Sequence, residues 1–174
     1  MEQATAPLIV DAAWVEAYAE RWAPAWNSHD AERLFELMTD DIVYEDSAWP
    51  ETMRGKAAVR EFLDYTWRAF PDLTFEGVGS PHLGSDHPGA AFWWKGTATH
   101  TGPIDPPGIP PTGKRIEFEG ADFQEYRDGK VARLRIVFDM NDLARQMDLL
   151  PARGSAAERA MVGMQKLRAR LKRP

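Results

Sequence analysis

The stretch GKRIEFEGADFQEYRDGKV, Gly113 to Val131, decides how this chain folds. Read as an extended strand, it sends alternate side chains to opposite faces. Ile116, Phe118, Gly120, Asp122, Gln124 and Tyr126 share one face; Glu117, Glu119, Ala121, Phe123 and Glu125 share the other. Three glutamates make the second face the solvated one, so Asp122 points inward with Ile116 and Phe118. Asp128-Gly129 is a hairpin signal, because a tight hairpin turn needs residues that tolerate positive φ. The following VARLRIVFD then returns as a partner strand. Its alternation puts Ala132, Leu134, Ile136 and Phe138 inward, and Arg133 and Arg135 outward.

Upstream, AAFWWKGTATHTG from Ala90 reads as a long strand with Phe92, Trp94, Gly96, Ala98 and His100 on its apolar face. The segment joining it to the Asp122 strand, TGPIDPPGIPPTGKR, holds five of the thirteen prolines and is a connection, not an element. DIVYED, Asp41 to Asp46, alternates with Ile42, Tyr44 and Asp46 on one side, and DLTFEGVGS from Asp72 is a strand with Leu73 and Phe75 inward. Helical periodicity precedes these strands. Trp14, Tyr18, Trp22 and Trp26 recur every four residues, Asp30 is placed to cap a short helix carrying Leu34, Phe35, Leu37 and Met38, and residues 56–70 bury Val59, Phe62, Leu63, Thr66 and Trp67. Helices early and strands clustered late argue for an α+β fold. A curved antiparallel sheet wrapped around the N-terminal helices would form a cone with a pocket inside.

Composition narrows the chemistry. The 174 residues suit one domain, and seven tryptophans point to a large apolar interior or pocket. The absence of cysteine excludes disulfides, thiolate nucleophiles and Cys-ligated metals. The four histidines lack metal-site spacing, His82 and His87 falling in a Gly/Pro-rich turn and His29 beside a helix cap. There is no phosphate loop or dinucleotide fingerprint, so no metal and no cofactor is expected. MEQATAPLIVDAAW carries neither a basic start nor a long apolar run, and no segment reaches the roughly 20 apolar residues of a membrane span. A cytoplasmic protein is the expectation. Residues 153–174 hold Arg153, Arg159, Lys166, Arg168, Arg170, Lys172 and Arg173 against Glu158 alone, so the body is more acidic than the whole chain's net charge of −6. Such a body is a poor nucleic-acid surface. The division is then a body of residues 1–150 and a basic C-terminal helix, 151–174, opened by Ser155 and Glu158 at capping-box spacing and packed on the body or on a dimer partner.

WNSHDAERLFELMTDDIVYED, WWKGTATHTG, PPTGKRIEFEGADFQEYRDGKV and MNDLARQMDLLP, in this order, resemble the SnoaL-like polyketide cyclases of the nuclear transport factor 2-like superfamily. The resemblance runs over roughly residues 10–150. It implies a cofactor-independent enzyme acting on a hydrophobic, carbonyl-bearing small molecule, and a homodimer. In the pattern from Gly120 to Gly129, Asp122 stands where those cyclases keep their general acid/base, and His100 where a histidine lines their pocket. The related ketosteroid isomerases resemble the chain at Asp46, the position of their proton-abstracting Asp, and again at Asp122, the position of their oxyanion-stabilising Asp. The expected catalytic residues are therefore Asp122, Asp46 and His100, with Tyr44, Trp22, Trp26, Trp94 and Phe118 around the substrate.

Some positions depart from these relatives. Trp22 falls where the isomerases have an oxyanion tyrosine, and Arg133, Leu134 and Arg135 stand where many SnoaL-like proteins read E-H-W. Limonene epoxide hydrolase is also similar in fold, but its Arg and Asp on the WWKGTATH strand have no counterparts. A non-catalytic pocket protein or interaction module is the alternative. On that reading Asp122 is a structural carboxylate, paired with backbone or with Arg133 or Arg135.

Overall fold

The computed structural model describes residues 10–171. The first nine residues of MEQATAPLIVDAAW, and the cations Lys172 and Arg173, lie outside them. Helix α1 spans Ala12–Asn27 and is capped by Asp11, whose carboxylate accepts from the Trp14 N–H at 2.8 Å. Asp30 caps α2, Ala31–Glu36. Met38 is not helical as the periodicity predicts. Leu37 ends the helix and Met38 begins β1, Met38–Asp46. After β2 (Met53–Arg54) come α3 (Gly55–Ala69), β3 (Thr74–Leu83), β4 (Gly89–Thr99), β5 (Arg115–Arg127) and β6 (Lys130–Phe138), then α4 (Met140–Gln146) and α5 (Ala156–Leu171).

The six strands form one sheet in the order β2-β1-β6-β5-β4-β3. Strands β3 to β6 pair antiparallel in succession as a meander, of which the Asp128-Gly129 hairpin joining β5 to β6 is the turn the sequence predicts. Asp128 and Gly129 both take positive φ, the geometry of a tight two-residue hairpin. Beyond the sequence-level reading, β1 pairs with β6 in parallel, because the chain leaves β1 through α3 and re-enters at the opposite edge before meandering back. His82 lies on β3, not in a turn, and is exposed there. A bulge between Glu125 and Tyr126 pairs Tyr126 with Val131, so Val131 is the buried residue and Ala132 only half-buried. The alternation missed this because an inserted residue inverts every side chain beyond it.

Helix α1 crosses the inner face of the sheet, which explains its four-residue stripe. Trp14 and Tyr18 pack on Tyr126 with ring centroids 4.8 and 5.2 Å away, and Trp26 meets Phe75 at 5.4 Å. Asn27 ties the end of the helix to the edge strand β3, donating to the Phe75 carbonyl at 2.9 Å and accepting from its N–H at 2.8 Å. The proline-rich connection is held against α3: Gly102 lies so close to the Arg68 carbonyl that a Cβ would sit 1.8 Å from its oxygen. Helix α5 begins as its capping spacing predicts, with the Ser155 hydroxyl accepting from the Glu158 N–H at 3.1 Å. It buries none of its residues on this chain, and Met164 and Leu167 are 63% and 58% exposed.

Candidate active site

Between α1, α3, α4 and the concave side of the sheet lies a cavity of about 620 Å³. Its walls are Trp22 and Trp26 of α1, Phe62 of α3, Phe75, Phe92, Trp94 and Phe118 of the sheet, Leu143 of α4 and Met147, which caps that helix. Asp46 and Asp122 are the carboxylates set among these apolar walls, while Glu16 and Glu20 lie on the exposed side of α1 at its rim.

Sheet register fixes the carboxylates' relation. Phe92 pairs with Asp122, Asp122 with Ile136, and Ile136 with Asp46, so four residues of one row share a face. Asp46 and Asp122 thus flank Ile136 two strands apart, roughly 10 Å between Cα atoms. Asp122 is 4% exposed. Its Oδ1 accepts from the Trp94 indole N–H at 2.7 Å and its Oδ2 from the Trp22 indole N–H at 3.0 Å, with a long contact of 3.5 Å from the Gln124 amide. Gln124 is in turn oriented by the Tyr126 hydroxyl, which donates to its Oε1 at 2.9 Å.

Glycine makes this clamp possible. Trp94 and Gly120 are cross-strand partners, and a Cβ on Gly120 would lie 2.4 Å from the Trp94 ring and 2.7 Å from the Val137 carbonyl oxygen. The indole therefore occupies the place a side chain at 120 would take, and from there its N–H reaches Asp122. Gly96 does the same for the Phe118 ring, which a Cβ would meet at 2.7 Å. In G-x-D, the glycine clears space for the donor that holds the aspartate.

The two carboxyls are displaced from their ordinary values by burial. Burial pushes Asp122 up to about 6, against the opposing pull of the Trp94, Trp22 and Gln124 donors. Asp46 is half-buried and pushed up to about 7, first by burial and then by the charge of Asp122; the Ala48 N–H, donating to it at 2.7 Å, works the other way. Neither arginine of β6 pairs with Asp122. Arg133 lies on the outer face, bonded to Glu45 at 3.1 Å and 3.9 Å from Glu125, and Arg135 is exposed. A structural carboxylate clamped by a guanidinium is therefore not what the fold builds.

The other expected site residues divide. Trp22, Trp26, Trp94 and Phe118 line the cavity. His100 and Tyr44 do not. His100 is wholly buried at the end of β4, where its Nδ1 accepts from the Thr112 backbone N–H at 3.3 Å and meets the Thr112 hydroxyl at 3.0 Å, and its ring packs on Phe70. It ties the proline-rich connection to the sheet, and burial holds its pKa below the ordinary range. Tyr44 is buried beneath the cavity against Phe62. The indole donors to Asp122 were not legible as donors: Trp22 reads as a core stripe, and its contact spans 100 residues of sequence. Among the described residues no group of three His, Cys, Asp or Glu is placed to hold a metal ion.

Comparison with known proteins places this geometry. The SnoaL-like polyketide cyclase family matches residues 16–147, the segment carrying every cavity element from α1 to α4. AclR from Streptomyces galilaeus is 23% identical, covering 94% of this chain and all (100%) of its own, with a TM-score of 0.69. TsrD from Streptomyces laurentii is also 23% identical over 82% of this chain and 100% of its own, TM-score 0.68. SalBIII, described as an epoxide hydrolase/cyclase-like enzyme in pyran ring formation in the polyether salinomycin, is 21% identical over 77% of this chain and 97% of its own, TM-score 0.63. Likeness at these identities speaks for the fold alone. No curated protein matches the chain.

Proposed function

The chain belongs to the SnoaL-like polyketide cyclase family, and from that premise we propose that it is a cofactor-independent general acid/base enzyme. Its substrate is a hydrophobic, carbonyl-bearing small molecule, and its reaction is proton transfer at the carbon beside the carbonyl, as in aldol ring closure or double-bond isomerisation. The observation that carries this reading is Asp122: a carboxylate in an apolar cavity, gripped by two indole N–H groups, with a second carboxyl across Ile136.

The two environments divide the labour. A general base or acid works best with a pKa near the operating pH. Near pH 7, two indole donors favour the ionised form of Asp122, while Asp46, with one backbone donor and the charge of Asp122 nearby, holds its proton more readily. Asp122 takes the α-proton, and Asp46 delivers a proton to the carbonyl oxygen as the enol forms. In isomerisation Asp122 returns its proton to a different carbon of the enol system; in ring closure the enol attacks a second carbonyl of the same molecule and Asp122 gives its proton to the alkoxide that forms. In both, the enol O–H returns its proton to Asp46 as the first carbonyl re-forms, so each carboxyl ends as it began. The indoles fix the base in one orientation, so its reorganisation is small when charge moves. Trp22, Trp26, Trp94 and Phe118 hold the ring system. His100 and Tyr44 have no part in this scheme, because neither lines the cavity.

We assign the protein to the cytoplasm and to a homodimer. The absence of cysteine fits the first, and the uncovered apolar residues of α5 and of the outer sheet face, Trp93 and Phe123, fit the second. No described helix is long and apolar enough to cross a membrane.

The test of the chemistry is α-hydrogen exchange. A panel of cyclic and polycyclic ketones is incubated with the protein in deuterium oxide, and label at the α-carbon is read by mass spectrometry. The proposal expects wild-type protein to accelerate exchange and Asp122→Asn to abolish the acceleration. Exchange that survives Asp122→Asn contradicts it.

A further inference from the structure

Every charged side chain among the described residues lining the cavity is a carboxylate: Asp46 and Asp122 within, Glu16 and Glu20 at the rim. Two cations on neighbouring elements are engaged elsewhere. Arg68 of α3 donates to the Asp105 carbonyl at 2.9 Å and lies over the Tyr65 ring, and Arg133 is on the outer face with Glu45. A ligand anion entering this cavity would lose its hydration, meet no countercharge on the walls and stand beside two acids in a medium of low dielectric. An uncharged ligand of the same shape meets mainly aromatic and aliphatic walls, the hydroxyls of Tyr65, Thr66 and Ser80, and two hydrogen-bonding carboxyls.

We infer that the cavity selects uncharged ring ketones and rejects the same skeleton carrying a carboxylate or phosphate, with Asp46 and Asp122 as the principal discriminating groups and Glu16 and Glu20 as a weaker outer screen. The inference rests on this cavity being the substrate site, and it adds the charge class of the ligand. The outer pair is weaker because both side chains are exposed and salt screens them, whereas Asp122 is buried and Asp46 half-buried. The reaction that supplies the substrate must therefore deliver it without a free acidic group near the ring.

The test uses two nearly isosteric probes that give no net product in ordinary water, 2-acetylanthracene and anthracene-2-carboxylate, which differ by a methyl group in place of a carboxylate oxygen. The acetyl group of the first joins an aromatic carbon directly to the carbonyl and offers no second carbonyl for ring closure. Binding is followed by quenching of tryptophan fluorescence at about pH 8. The inference expects the ketone to bind about tenfold or more tighter than the carboxylate, a difference of at least ~1.4 kcal/mol. Asp46→Asn, which keeps the shape and removes the charge, should strengthen carboxylate binding severalfold and leave the ketone nearly unchanged. Glu16→Gln with Glu20→Gln should do the same by a smaller factor that vanishes in high salt. Equal affinity for the two probes, a ratio untouched by Asp46→Asn, or failure of both probes to bind overturns the inference. None of these outcomes bears on proton transfer, which the exchange assay with Asp122→Asn decides separately.

Discussion

Asp122 and His100 stand on neighbouring strands, both buried and both titratable, and alternation along the sequence places each on the apolar side of its strand. Their surroundings differ. Asp122 lies mid-strand where α1 crosses the sheet, and it faces a cavity with two indole donors on its oxygens. His100 lies just past the end of β4, where the proline-rich connection folds back; its Nδ1 is engaged by Thr112 and its Nε2 is buried without a partner. Period two assigns a residue to a face; it does not say what covers that face. The same inward direction yields a carboxylate facing a cavity in mid-strand and a structural tie past a strand's end.

The largest effect that separates the two positions is on turnover. Asp122→Asn should lower kcat by a factor of about 10² to 10⁴, the usual contribution of a positioned acid/base, as measured by steady-state kinetics with an accepted ketone. His100→Leu should leave kcat within about threefold. Comparable losses at both positions would erase the distinction.

Stability against pH gives the next effect. The folded-state pKa of Asp122, about 6, lies above its ordinary value of 3.8. The folded protein therefore binds this proton more tightly than the unfolded chain. The resulting stabilisation is complete below about pH 4 and lost as pH rises through about 6. A displacement of this size corresponds to about 3 kcal/mol. Urea unfolding of wild type and Asp122→Asn across about pH 3.5 to 8 should show the variant gaining about that much relative to wild type as pH rises. The trend isolates the linkage, because any fixed cost of the asparagine amide facing an indole N–H cancels. A parallel pair of curves would contradict the burial argument.

Gly120→Ala sharpens the comparison from the side of the clamp. The new Cβ would press on both the Trp94 ring and the Val137 carbonyl, and the carbonyl belongs to a paired strand that cannot move cheaply. A loss of about 1–3 kcal/mol in stability is expected. With Trp94 displaced, Asp122 should titrate above its wild-type midpoint. The smallest effect belongs to His100→Leu, which leaves the Thr112 N–H and hydroxyl without this partner and should cost about 1–2 kcal/mol in urea unfolding.

Much of this was legible in the sequence because it is local. The alternation in GKRIEFEGADFQEYRDGKV placed Asp122 inward, Asp128-Gly129 marked the hairpin, and Asp30 capped its helix. The family resemblance rested on ordered segments between Trp26 and Pro151, and the matched range includes most of them. What remained hidden depends on elements distant in sequence. The parallel pairing of β1 with β6 has no local signature. The bulge at Tyr126 changed which residue of β6 faces inward. Trp22 as a donor to Asp122 requires α1 to lie across β5, and the role of Gly120 appears only once β4 and β5 are in register. The site was half visible, as a carboxylate without its holders.

The central claim is that Asp122 is an apolar-cavity carboxylate whose proton affinity is raised by burial. Its most direct test is a carbon-13 NMR titration of the aspartate side-chain carboxyls, with Asp122 assigned by its disappearance in Asp122→Asn. The account predicts a midpoint near 6 for that resonance. A midpoint at or below the ordinary aspartate value, about 4, would show a solvated or ion-paired carboxylate and contradict the account.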